Sequence, residues 1–179
     1  NPKWKSKMAV SSSSTPPNWI GAVLLDKGEK AGMEFLNKLA NQGIRNYKVN
    51  GRALSNLVVS GEVPLSPTVF NSHMFTSASK GAPVSWRPLG NAIATNTNTM
   101  GLAKNSPHPN AGMLLIDFFL SRDGQDIRHE MGYASGRKDV TIPNTPAKAV
   151  DLTASPTYAE DFEKWQLIGA KVFGKAVDK

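Results

Sequence analysis

Four consecutive hydroxyl residues, Ser11 to Ser14, run into Thr15, Pro16, Pro17 and Asn18. Proline suits the first helical turn, where backbone donors lack an intrahelical partner, so this string reads as a polar loop that opens a helix. Hydroxyls and free N–H groups at the positive end of a helix favour an anion. The same residues also read as an ordinary helix cap, with Ser14, Thr15 or Asn18 accepting a first-turn N–H and the rest solvated. The prolines remove two of the donors an anion would use. Both readings stand on the residues alone. A second cluster, Tyr133, Ser135 and Arg137 in GYASGRKDV, has an arginine able to grip a carboxylate or phosphate through two parallel hydrogen bonds. There the alternative is that Arg137 and Asp139 are surface charges and Tyr133 a packed ring.

Little else in the chain suggests chemistry. His73, His108 and His129 are isolated in sequence, with no HExxH and no histidine pair at helical spacing. No GxSxG elbow, Walker loop or GxGxxG is present. The carboxylates are dispersed rather than paired for acid and base work. The absence of cysteine excludes disulfides, thiolate nucleophiles and Cys-based zinc or iron–sulfur sites. An enzyme domain with a loop-and-helix anion site, such as a transferase-like fragment, is the competing class.

The elements that must position these residues belong to a chain of 179 residues, 40% hydrophobic and 20% charged, the balance of a globular protein, and short strands between helices indicate the α/β class. No apolar run approaches the roughly 20 residues of a membrane-spanning helix. The net charge of +7 is uneven: residues 1–95 hold 11 Lys and Arg against 4 Asp and Glu, while 96–146 and 147–179 each hold 5 against 5. A basic segment draws anions, yet no run is dense enough for a nucleic-acid patch, so nucleic acid is not expected as a partner. Strands are expected at Lys7 to Ser11, with Met8 and Val10 on one side, at Tyr47 to Val49, and at Asn96 to Lys104. Glu62 to Phe70 reads as an irregular edge strand broken by Pro64 and Pro67. Helices are expected from Pro16 to Gly28, over Glu29 to Ala40, after the Asn50 cap as far as Ser60-Gly61, and over Asn110 to Leu120. Two more are expected over Gly124 to Met131 and, in amphipathic form, within Ser155 to Phe173. A chain that starts at Asn1 with no Met or leader reads as a processed protein or as the later part of a longer one.

The order of several segments resembles a family. WKSKMAVSSSSTPPNWIGAVLLDKGEKAGMEFLNKL, NGRALSNLVVSGEV, NTMGLAKNSPHPNAGMLLIDFFLSRDGQD and GYASGRKDV together are similar to the later part of the solute-binding proteins of bacterial ABC importers, in the branch of the ferric-iron-binding proteins. The resemblance covers most of residues 3–143 and rests on order and spacing. It implies a periplasmic-binding-protein-like (type II) α/β architecture of two hinged lobes. Residues 1–95 would form most of the second lobe, 96–146 would return to the first, 147–179 would pack a helix back on the second, and the N-terminal part would be missing.

The resemblance further implies a periplasmic or surface-tethered receptor, made with a signal peptide and not itself spanning the membrane. It would capture ferric iron, an iron chelate or a small anionic solute and deliver it to a membrane permease, without catalysis and without a resident cofactor. The anion loop of these relatives matches Ser13, Ser14 and Thr15. Where they carry adjacent metal-binding tyrosines this chain has Phe70-Asn71-Ser72-His73-Met74, so Asn71, Ser72 and His73 are expected at the ligand, with His73 the candidate for a chelated metal. Tyr133 and Arg137 complete the expected set.

Overall fold

The computed structural model describes residues 1–88, 92–95, 99–140 and 148–179, with residues 92–95 and 148–150 described by their backbone. In chain order the elements are β1 (Ala9–Ser11), α1 (Thr15–Lys27), α2 (Glu29–Ala40), β2 (Arg45–Tyr47), α3 (Gly51–Val59), α4 (Asn71–Ser79), β3 (Ala92–Thr95), α5 (Pro109–Leu120), α6 (Arg122–Glu130), β4 (Lys148–Asp151) and α7 (Tyr158–Phe173). Contacts divide the chain into two compact units, Asn1–Asn96 with Pro146–Lys179, and Thr97–Thr145.

In the first unit β1 pairs in parallel with β2, Val10 opposite Asn46, and β3 pairs in parallel with β4, Ala94 opposite Val150. Single bridges widen the first pair on both sides, Met8 with Leu65 and Tyr47 with Val177. Every residue of β1 is buried. Its alternating side chains divide the interior: Met8 and Val10 join Trp19, Ile20, Val23, Leu36, Ile44, Leu152, Trp165 and Phe173, while Ala9 faces Tyr47, Leu54 and Val63. Burial on both faces is normal for a parallel strand covered by helices.

Helix α1 packs against α7, α2, β3 and β1. Eight consecutive residues from Pro16 to Val23 are buried, so this helix has no solvent stripe in its first two turns. Gly21 makes the α7 contact possible, because a Cβ there would stand 2.7 Å from the Trp165 ring. Asn18 is the polar exception, and its Oδ1 accepts from the Tyr158 hydroxyl at 2.9 Å.

Several elements depart from the sequence-based expectation. The strand expected at Tyr47 to Val49 lies at Arg45–Tyr47, because Val49 N–H turns back to the Tyr47 carbonyl at 2.8 Å. Glu62 to Phe70 forms no strand beyond the Leu65 bridge, since the flanking prolines have no N–H to give. Of the strand expected at Asn96 to Lys104, residues 96–98 lie outside the described residues and 99–104 carry none. The nearby strand is β3. Helix α4 and strand β4 were not expected, because NSHMFTSAS is rich in hydroxyls that compete with the helical backbone.

In the second unit α5 turns sharply into α6 at Ser121, whose Oγ caps Gly124 N–H at 3.2 Å. No residue of α5 is buried, although its sequence is PNAGMLLIDFFL. Met113 is 61% and Leu114 71% exposed, and Leu115, Phe118 and Leu120 are exposed as well. Apolar patches beyond a few hundred Å² mark contact surfaces. The 179-residue chain is therefore expected to self-associate at micromolar concentration in sedimentation velocity, and Leu114→Lys with Phe118→Lys to reduce the association. A monomer at all concentrations would contradict this.

Candidate functional site

The end of β1 delivers the hydroxyl loop to the start of α1. Ser11 Oγ, buried, lies 2.7 Å from Ser13 Oγ. Ser13 Oγ donates to Thr15 Oγ1 at 3.2 Å and accepts from Thr15 N–H at 3.4 Å. A hydroxyl has one proton, so with the Ser13 proton on Thr15, Ser11 must be the donor in the first pair. The chain of donors thus runs Ser11 to Ser13 to Thr15, and the Thr15 proton is left for an acceptor outside the loop. Ser14 stands at the N-cap position but is exposed and makes no side-chain cap bond, so the capping role open to it in the sequence is not taken up. Ser13 and Thr15 carry the geometry.

The first residue of α3, Gly51, is where three helix starts meet. A Cβ placed there would lie 3.5 Å from the Phe70 ring and 3.7 Å from Thr15 Oγ1. Asn50 caps α3 by accepting from Ala53 N–H at 2.8 Å. Helix α4 starts from Phe70, which has no side-chain acceptor to offer. The N–H groups of Gly51, Arg52, Asn71, Ser72 and His73 consequently have no partner among the described residues. Thr15, Gly51 and Phe70 thus bring the starts of α1, α3 and α4 together, and each contributes the positive end of its dipole.

His73 closes this group. Its ring lies edge-on to Phe70 at 5.3 Å between centroids, and its Nδ1 is 3.0 Å from Ser55 Oγ. Burial pushes its pKa below the ordinary histidine value, the positive charge of Arg52 adds to that, and a backbone bond to Gly51 opposes it. A serine and a histidine at this distance have the separation of a nucleophile and its base. Ser55, however, is 1% exposed and donates its proton to the Gly51 carbonyl at 2.8 Å, so no substrate reaches it. Asn71 is exposed and Ser72 half-buried on the same first turn of α4.

Tyr133 and Arg137 belong to the second unit, and their partners lie within it. Both oxygens of Asp139 accept from the Arg137 guanidinium, at 2.9 and 3.0 Å, and its third arm donates to the Leu120 carbonyl at 3.2 Å. The fork that the sequence offered to an external anion is closed on Asp139, whose carboxyl it holds below the usual range. Tyr133 lies under the Arg128 guanidinium, 5.1 Å from it. Ser135 Oγ and Gly136 N–H both donate to Gln125 Oε1 at 2.9 Å, which fastens this loop to α6.

Gly51, Arg52 and Ser55 were not singled out from the sequence. The available signal was Asn50-Gly51 opening a helix, which marks a cap without saying what stands opposite. A separate hollow of about 260 Å³ lies where α1 meets α7, lined by Gly21, Leu24, Asp161, Lys164 and Trp165 among others. Its charged groups are engaged locally, Lys164 with Glu29 at 2.9 Å and Asp161 with the Thr157 hydroxyl at 2.7 Å. Among the described residues no cluster of His, Asp and Glu could hold a metal ion, and no helix is long and apolar enough to cross a membrane. No family model matches the chain, and neither does any characterised protein or solved structure it was compared with.

The depressed basicity of His73 has a thermodynamic consequence. Between its folded pKa and the unfolded value of about 6.5, the unfolded chain binds more protons than the folded one, so acidification through that window lowers stability. His73 is expected to titrate below the free imidazole value by NMR, and His73→Gln to flatten the pH dependence of the melting temperature there. An unshifted titration would contradict the assigned environment.

Proposed function

We propose that this chain is part of a solute-binding receptor of the ABC-importer kind, located in the periplasm or tethered outside the cytoplasmic membrane, which passes a small anionic solute or chelate to a membrane permease. The observation that carries the reading is the meeting of the starts of α1, α3 and α4 at Gly51, with the Thr15 proton and five backbone N–H groups free beside it. Such a set of donors suits a negatively charged group. The surplus of basic residues in 1–95 supports the same sign of ligand. In a two-lobed type II receptor this wall would belong to the second lobe, and a ligand touching both lobes would favour closure by its differential affinity.

Bare ferric ion fits less well than an anion or a chelate. The three tyrosines are dispersed: Tyr47 is buried and its hydroxyl accepts from Arg45 at 3.2 Å, Tyr158 donates to Asn18, and Tyr133 lies in the other unit under Arg128. Ferric ion supplied to the chain is expected to give no intense visible tyrosinate band. A strong band would overturn that expectation.

The anion reading is tested by calorimetry with orthophosphate as the probe. Ser13→Ala with Thr15→Ala is expected to weaken binding by about 1.5–3 kcal/mol, the usual loss when hydrogen bonds to a charged group are removed. Unchanged affinity with the fold intact, or no binding by the unaltered chain, would contradict it.

A further inference from the structure

The hydroxyl of Ser55 fixes which nitrogen of His73 carries the proton. Ser55 Oγ has one hydrogen, and at 2.8 Å it is given to the Gly51 carbonyl across one helical turn. Toward His73 Nδ1, 3.0 Å away, the same oxygen can then only accept. The ring must supply the hydrogen from Nδ1. Ser55 is buried and held by the backbone of α3, and reversing the pair would set its oxygen 2.8 Å from the Gly51 carbonyl with no hydrogen between them. Neutral His73 therefore has Nδ1–H and a bare Nε2. The edge contact with Phe70 holds the ring. Nε2 has no partner among the described residues and is not among the buried atoms without one, so solvent reaches it.

This group differs in kind from its neighbours. Thr15 Oγ1 and the N–H groups of Gly51, Arg52, Asn71 and Ser72 all offer hydrogens, whereas Nε2 offers a lone pair. An anionic oxygen placed against it would meet lone pair with lone pair, while a hydroxyl or ammonium would satisfy it.

We propose that His73 sets the specificity of this site, its bare Nε2 accepting a hydrogen bond, so that the ligand is a small organic anion carrying a hydroxyl or amine donor beside its anionic group. The inference rests on the anion-binding reading above and narrows it. An anion with no hydrogen to give fills the donor cluster and leaves Nε2 unmatched. A donor-bearing organic phosphate matches both.

Two measurements on the complete 179-residue chain test this. The first is the imidazole nitrogen chemical shifts of His73 at about pH 8, above the ordinary histidine range. The expected pattern is a protonated Nδ1 and an unprotonated Nε2, and the opposite tautomer would overturn the proposal. The second is calorimetry with glycerol phosphate against propyl phosphate, which share the phosphate dianion and carbon count and differ in hydroxyls. Glycerol phosphate is expected to bind about tenfold tighter, the worth of one well-made hydrogen bond. His73→Phe should abolish the difference between the two phosphates, and His73→Gln, which retains an acceptor oxygen, should restore part of it. Equal affinities in the unaltered chain would overturn this inference and leave the anion reading standing. Failure of both phosphates to bind would overturn both.

Discussion

The burial of α1 on all sides is the constraint from which the rest of the first unit follows. A helix with eight consecutive buried residues has no face to give to water, so strands, helices and the 152–154 turn enclose it. The sequence meets this with small residues where neighbours come close, Gly21 against Trp165 and Ala22 in full burial, and with large ones elsewhere, Trp19, Ile20 and Val23. One polar side chain, Asn18, is admitted because Tyr158 reaches it from α7. A buried amide without such a partner would cost on the order of 1–3 kcal/mol.

Enclosing α1 also fixes where it begins. Its first turn sits at the end of β1, so Ser11, Ser13 and Thr15 form a directed row of hydroxyls instead of a loose loop. Pro16 and Pro17 are buried in this first turn and have no N–H to donate. The free donors near Gly51 therefore come chiefly from α3 and α4, with Thr15 contributing its hydroxyl. Helix α4 begins at Phe70 without a side-chain cap, as α1, α2, α5 and α7 also begin without one.

Much of the framework was legible in the sequence. The helices from Glu29 to Ala40 and after the Asn50 cap were readable because punctuation and apolar spacing agree at both ends. The interior halves of β1 followed from alternation. The strands at 92–95 and 148–151 were not readable, because their pairing joins segments more than fifty residues apart and neither is long enough to display a period. The hydroxyl loop could be located but its active members could not: the sequence favours Ser14 as readily as Ser13, and only the chain of donors distinguishes them. Arg137 illustrates the opposite case. A bidentate grip was anticipated from its chemistry, and the partner proved to be Asp139, two residues away.

The central claim is that the starts of three helices form one anion site around Gly51. Its most direct test is the backbone amide NMR spectrum of the chain titrated with orthophosphate. The largest shifts are expected on Thr15, Gly51, Arg52, Asn71, Ser72 and His73. Shifts centred on Asp161, Lys164 and Trp165 at the α1–α7 hollow, or on the Arg137 loop, would contradict it.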